Sequence, residues 1–321
     1  MPRVPLPAEL TSRAFTTSEA LGLEVGAKRL RSVDLCRPLH GVRSATPPAE
    51  VAALATAARL VLPSDTAFSH CTAAALHGLS LPRVREHVEP LHVMRATRRN
   101  PVDRPTVLPH RGLETRTTVT VRGLPLVGLA DTWCDLGELL GHDDLVVLGD
   151  QVANRLGSVE PLRESLAARV RPRGAVRLRL ALRWIRVGSG SPMETRTRLL
   201  FGRAGLPEPE LNVEIGHSDG GFLCRADFAW REKRVIGEYQ GSAHFADFSR
   251  GDDDISRRLL AEDSAWKYIE VTKTDYFNPA RRHAMLTRFA RYLGVEKVAF
   301  RPSAGIDGPI PTPSTVCRGR R

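Results

Sequence analysis

The chain has 321 residues, enough for two or three domains, and its 42% hydrophobic and 26% charged residues are ordinary for a globular protein. No apolar run approaches the roughly 20 residues of a membrane span, and Met1–Leu10 lacks a signal-peptide core. These features exclude a membrane partner and make a cytoplasmic location the expectation. The five cysteines, Cys36, Cys71, Cys134, Cys224 and Cys317, are scattered and form no CxxC pair, so no zinc or redox signature is present. The net charge is +11, and six arginines without an acid between residues 171 and 187 supply +6 of it. A stripe of this kind is the footprint of a polyanion binder, or else a solvated helix face.

In chain order, Thr16-Thr17-Ser18-Glu19 predicts a capped short helix and Gly22 its end. Gly26–Ser32 predicts a second helix with a basic face of Lys28, Arg29 and Arg31, and Leu35–Val42 a β wing. That order is the one found in winged helix-turn-helix modules, whose second helix enters the major groove. Helices are predicted over 49–60, 69–77 and 143–155, with strands over 91–94 and 117–121. His70 and His77 read as packing or capping residues because no third metal ligand is evident. Residues 175–187 fit two periods. Alternation favours a strand, whereas Leu178, Leu182 and Ile185 on one helical face, with Arg179, Arg183 and Arg186 on another, favour a helix. Ser191 and Pro192 start a further helix as N-cap and N1, followed by a strand at 211–215.

The most informative stretch is 222–240. Phe222–Trp230 and Val235–Tyr239 predict a β-hairpin around a polar loop, with pairing positions summing to 465. Asp227 then faces Glu238, and like charges directly opposed across strands are unfavourable. A hairpin that tolerates them invites a cation; Mg²⁺ is commonly held by one or two carboxylates together with substrate phosphate oxygens. The structural alternative is a pair of surface acids, Glu238 being paired with Arg225. Glu194 falls at N3 of its helix, where a capping acid is expected in any case. An acid-led helix at 252–263, a strand at 267–271, a helix at 280–293 and a disordered tail complete the chain.

The segment 188–294 resembles the PD-(D/E)xK nuclease superfamily, in particular the domain of unknown function grouped with very-short-patch-repair endonucleases. The resemblance rests on Ser191-Pro192-Met193-Glu194-Thr195-Arg196, Arg225-Ala226-Asp227-Phe228, Glu238-Tyr239-Gln240-Gly241 followed by His244, Asp254 with Arg257 and Arg258, and Trp266 through Asp275. It implies an α/β/α restriction-endonuclease-like fold with a central mixed sheet. Asp227 and Glu238 would then be ligands of Mg²⁺ or Mn²⁺, with Glu194 beside them. Ala226 replaces the family's proline, and Gln240 stands at the family's lysine position, where it supplies no positive charge. His244 is a candidate base in its place. Upstream, Phe15-Thr16-Thr17, Leu39-His40-Gly41-Val42 and Ser69-His70 through Ala75-Leu76-His77-Gly78 are similar to AbiEi-family antitoxins of type IV toxin–antitoxin systems. Those proteins join a winged helix to a second domain and act as transcriptional autorepressors.

These readings predict a multidomain α/β protein. Residues 1–46 would be the winged helix, 47–170 an α/β domain, 171–190 a basic linker helix, 191–296 the nuclease-like domain and 297–321 the tail. The expected partners are DNA, through Lys28, Arg29, Arg31, Arg179, Arg183 and Arg186, and a cognate toxin. The expected activity is metal-dependent phosphodiester hydrolysis by Asp227, Glu238, Gln240, His244 and Glu194. The alternative is a non-enzymatic regulator that uses the nuclease-like fold as a scaffold.

Overall fold

The computed structural model describes residues 4–82, 90–216, 222–241, 265–296 and 298. His244, the acid-led 252–263 segment and the expected tail beyond 298 lie outside the described residues. The chain divides into two compact units, one of residues 1–148 and 160–179, the other of 149–159 and 180–321. Residues 1–46 and 47–148 therefore share a unit, and the 171–190 stretch is divided between the two.

In the first unit, Thr16 Oγ1 accepts the Glu19 amide at 3.0 Å and the Glu19 carboxylate accepts the Thr16 amide at 3.4 Å. This is the capping box its sequence predicts. Behind the Thr17–Gly22 helix, Leu10, Phe15, Ala20, Val25, Leu30 and Leu35 form a small core. The second helix is a single turn, Ala27–Leu30. The expected wing contributes one short strand, Val42–Arg43, antiparallel to Phe15–Thr16. Cys36 adds an isolated antiparallel bridge to Ser44, and Pro38, which has no amide to donate, and Gly41, at φ +84°, lie in the bend between them.

The larger sheet of this unit runs in the order Val107–Arg111, Leu91–Arg95, Ala67–Phe68, Leu124–Val127, Thr118–Val121. The edge position of Val107–Arg111 tolerates Pro109. The central Ala67–Phe68 strand is only two residues long and leads through Ser69 into the His70–Leu76 helix. Leu54, Phe68, Leu91, Val93 and Leu126 lie in the core beneath. The ambiguous basic stretch forms a helix, Ala175–Leu182. Leu178, Leu182 and Ile185 are buried, while Arg179 and Arg183 are exposed.

The second unit carries a four-stranded mixed sheet ordered Lys267–Thr272, Val235–Gln240, Phe222–Trp230, Glu210–Gly216. The first pair is parallel and the other two are antiparallel. Phe201 of the Pro192–Arg203 helix packs edgewise or tilted against Phe228, Trp230 and Phe289, and Phe289 of the Pro279–Leu293 helix against Trp230, with centroids 4.8–5.5 Å apart. Ile215, Cys224, Ala226, Ala229, Ile236 and Tyr268 form a second cluster. Both units thus mix helices with mixed sheets, the α/β class expected from the sequence. Among the described residues no helix is long and apolar enough to cross a membrane.

Candidate functional site

The hairpin register is the predicted one: Val235 pairs with Trp230, Ile236 with Ala229 and Gly237 with Phe228. A 3₁₀ turn over Arg231–Lys233 and a left-handed Arg234, at φ +49°, close the even loop. The next position in this register sets Asp227 against Glu238. There the ladder gives way to a side-chain contact, with the Tyr239 amide donating to Asp227 Oδ2 at 2.8 Å. Phe228 and Trp230 belong to one core cluster and Cys224 and Ala226 to the other, so the alternation of the strand breaks at Asp227. Asn212 faces this break from the neighbouring strand, between the Leu211–Phe228 and Val213–Ala226 pairs, and has φ +49°. Asparagine is among the few residues that adopt this conformation readily.

Glu194 joins the two acids from the Pro192–Arg203 helix. Ser191 Oγ caps that helix by accepting the Glu194 amide at 3.2 Å. The Glu194 carboxylate reaches past Ser191 to the Gly190 amide at 2.6 Å and the Asn212 side-chain amide at 2.8 Å. Gly190 is needed for this approach, since a Cβ there would lie 3.2 Å from both carboxylate oxygens. Beneath the helix, buried Asp150 accepts the Arg186 amide at 2.8 Å, the Thr195 hydroxyl at 2.7 Å and the Arg198 guanidinium at 2.7 Å. Arg198 is 2% exposed. This buried ion pair and its hydrogen bonds tie the helix, and with it Glu194, to Asp150, although Arg198 Nε and Nη1 have no hydrogen-bond partner among the described residues.

Burial pushes the Asp227 carboxyl up to about 7, with the negative charges of Glu194 and then Glu238 adding to the effect. The Tyr239 amide and Arg225 oppose it only in part. Glu238 is itself buried, and its carboxylate accepts the Tyr268 hydroxyl. Asp227 thus lies in the field of acids from two other elements, Glu194 and Glu238. Their hard oxygen donors fit Mg²⁺ or Mn²⁺, and the field that raises the proton affinity of Asp227 also attracts a metal cation.

Gln240 is half-buried at the end of its strand, paired with Thr272. On the neighbouring strand, Lys273 directly follows Thr272, whereas Lys267 pairs with Val235 at the far end. Among the expected DNA contacts, Lys28, Arg31, Arg179 and Arg183 are exposed. Two others are engaged within the protein. Arg29 donates to Val4 O at 2.7 Å and to both Asp34 oxygens at 3.0 Å, and Arg186 pairs with Glu208 at 2.7 Å.

A second cluster, in the other unit, went unpredicted. His70, His92 and His110 each place a ligand nitrogen within 4.8 Å of the others, the one such group of three ligating residues among the described residues. The ligands that complete the set with His70 come from the strands at 91–95 and 107–111, the second of which is hard to recognise in the sequence because proline interrupts it. His77 is elsewhere, its Nε2 bonded to Val127 O at 2.8 Å. Burial, His110, His92 and nearby arginines hold the His70 imidazole well below its ordinary range, and burial also lowers His110. His70 and His110 line a pocket of about 610 Å³ together with Arg116, Cys134, Asp135, Glu138 and Arg169. Burial pushes the Cys134 thiol up to about 11, so it presents a neutral S–H.

No family model matches the chain. It is similar to two uncharacterised proteins of Mycobacterium tuberculosis, one from strain CDC 1551 / Oshkosh and one from strain ATCC 25618 / H37Rv. Each is 32% identical over 127 residues, 40% of this chain. The match spans 46%, about half, of the length of those relatives. No solved structure matches.

Proposed function

We propose that the chain is a DNA-binding protein whose 191–296 segment is a metal-dependent endonuclease of restriction-type fold. The observation that carries this reading is the raised Asp227 carboxyl, buried and acted on by the charges of Glu194 and Glu238 from two other elements. The order of elements also supports it: a helix bearing Glu194, two antiparallel pairings, then a parallel strand. Asp227 and Glu238 would hold Mg²⁺ or Mn²⁺, with Glu194 completing the negative pocket. A bound divalent cation would polarise a phosphodiester and lower the pKa of attacking water. The Gln240 side-chain amide, able both to donate and to accept, would orient that water at the place where the family has lysine. His244 would serve as the base. Exposed Lys28 and Arg31, with Arg179 and Arg183, would supply phosphate contacts.

The deciding experiment incubates the full chain with plasmid, linear, nicked and mismatched DNA in Mg²⁺, Mn²⁺ or EDTA, beside Asp227→Asn. The reading requires cleavage that is abolished by EDTA and lowered about 10³-fold in the variant, the loss of several kcal/mol of metal-centred stabilisation. DNA binding without cleavage of any substrate, by a folded wild type whose melting temperature ignores both metals, would instead establish the antitoxin-type regulator with a scaffold fold. Toxin binding belongs to that second outcome.

A further inference from the structure

We propose that His70, His92 and His110 form a binding site for one zinc-class transition-metal ion, with the remaining coordination position open to the pocket bordered by Arg116 and Arg169. This inference is independent of the nuclease reading, because it concerns other residues, another unit and a different class of metal.

Backbone geometry is the first argument. His70 has φ +47°, a conformation that L-residues seldom adopt, at the elbow between the two-residue Ala67–Phe68 strand and its helix. Such conformations cost roughly 1–3 kcal/mol and persist where the surroundings impose them. Here the elbow directs a buried imidazole onto His110, with ring centroids 3.6 Å apart. The Met94–His110 pairing brings the edge strand alongside, and His92 Nδ1 lies 3.0 Å from His110 Nε2.

Donor chemistry is the second. Tetrahedral zinc with Zn–N bonds of about 2.0–2.1 Å sets its nitrogens roughly 3.3 Å apart. One pair already approaches at that range, and the three donors span no more than 4.8 Å. Imidazole nitrogens suit zinc, copper, nickel or iron rather than Mg²⁺.

The surroundings are those of a supported ligand set. Ser69 Oγ lies 3.1 Å from His70 Nδ1, and Glu138 Oε1 lies 3.9 Å from His70 Nε2. With Nε2 as the ligating nitrogen, Ser69 is the outer partner that orients the ring, and Glu138 stands beside the metal position. The neighbouring cations are offset by acids: Arg116 pairs with Asp135, Arg169 with Asp131 and Asp135, and Arg173 with Glu138. Water or an oxyanion drawn from the pocket would supply the last ligand.

The competing account is a stack of neutral imidazoles joined by one N–H···N hydrogen bond. Only the metal site predicts zinc binding. Chelator-stripped full chain should bind one Zn²⁺ per chain at this cluster in competition with a chromophoric chelator, and its melting temperature should rise with Zn²⁺ by an increment that His110→Gln removes, whatever Mg²⁺ does at the acid cluster. Cobalt should give visible ligand-field bands of a nitrogen-ligated tetrahedral ion. His110→Gln, on the more exposed ligand, should weaken zinc by more than the 10–100-fold typical of an outer-shell change, and Glu138→Gln by less. Asp227→Asn should leave zinc binding unaltered. Circular dichroism establishes that each variant is folded. A folded wild type that binds no zinc overturns the proposal, whatever the variants do, and so does zinc held equally well by His110→Gln and His92→Gln.

Discussion

The acid cluster around Asp227 and the histidine cluster around His70 both bury titratable side chains beside their own kind, and each is driven toward its neutral form from the opposite direction. Asp227 does so by keeping its proton up to about 7, because burial, Glu194 and Glu238 all disfavour the carboxylate. His70 does so by losing its proton early, because burial, two other imidazoles and two arginines disfavour the cation. The Asp150–Arg198 pair, within the same unit as Asp227, shows how far a partner offsets burial: desolvation still raises the Asp150 carboxyl, while Arg198, the Arg186 amide and Thr195 oppose the shift. Desolvation acts on all three sites, and the neighbours decide how far each group is driven toward its neutral form.

The largest effect should come from breaking the paired case. Arg198→Ala leaves Asp150 buried beside Thr195 without its guanidinium and should cost about 3–5 kcal/mol in denaturant unfolding. Asp150→Leu with Arg198→Met should recover most of that loss.

Next comes the acid cluster in metal-free protein. The folded Asp227 carboxyl is raised, so the unfolded chain releases its proton first as pH rises. The stability contributed by this group is complete below about pH 4 and lost as pH rises to about 7. Asp227→Asn should remove that loss and exceed wild type by up to about 4 kcal/mol above pH 8, three units at roughly 1.36 kcal/mol each. A pH profile identical in variant and wild type would show that the three acids do not interact.

The histidine cluster should show the opposite sign. His70 is neutral when folded, so its contribution is present above the ordinary imidazole range and lost as pH falls through it, where the unfolded chain takes up the proton. His70→Asn, which tolerates the left-handed backbone, should lessen the fall in melting temperature between pH 7 and pH 5. A steeper fall would mean that the imidazole is charged in the fold.

The smallest change concerns exposed charge. Arg179→Ala with Arg183→Ala should alter stability by no more than about 0.5 kcal/mol. The double variant should reduce the logarithmic salt slope of DNA binding by about 0.9 for each phosphate that is no longer neutralised. Adding Arg186→Ala should not reduce the slope further, because Glu208 already engages that guanidinium. An unchanged slope in the double variant would assign the stripe to solvent.

Legibility followed the range of the interactions. The Thr16 capping box, the Ser191–Pro192 helix start and the 465 register depend on residues within a few positions of one another, and each could be read directly from the chain. Arg29 and Arg186 read equally well as phosphate contacts, because nothing nearby in sequence shows that Val4 and Asp34, or Glu208, engage them.

The sequence by itself determined the α/β class, the hairpin, its register and the basic helix, since periodicity, capping and turn chemistry are local properties of the chain. Only the tertiary structure decided that Glu194 meets Asp227 across a helix–strand packing, that Asn212 takes a left-handed backbone opposite the break in alternation, and that Asp150 reaches Arg198 from 48 residues away. It also decided that His70, His92 and His110 converge from an elbow and two parallel strands, one of them interrupted by proline. Such encounters arise from the packing of distant elements, and the energy that fixes them belongs to burial rather than to any local pattern.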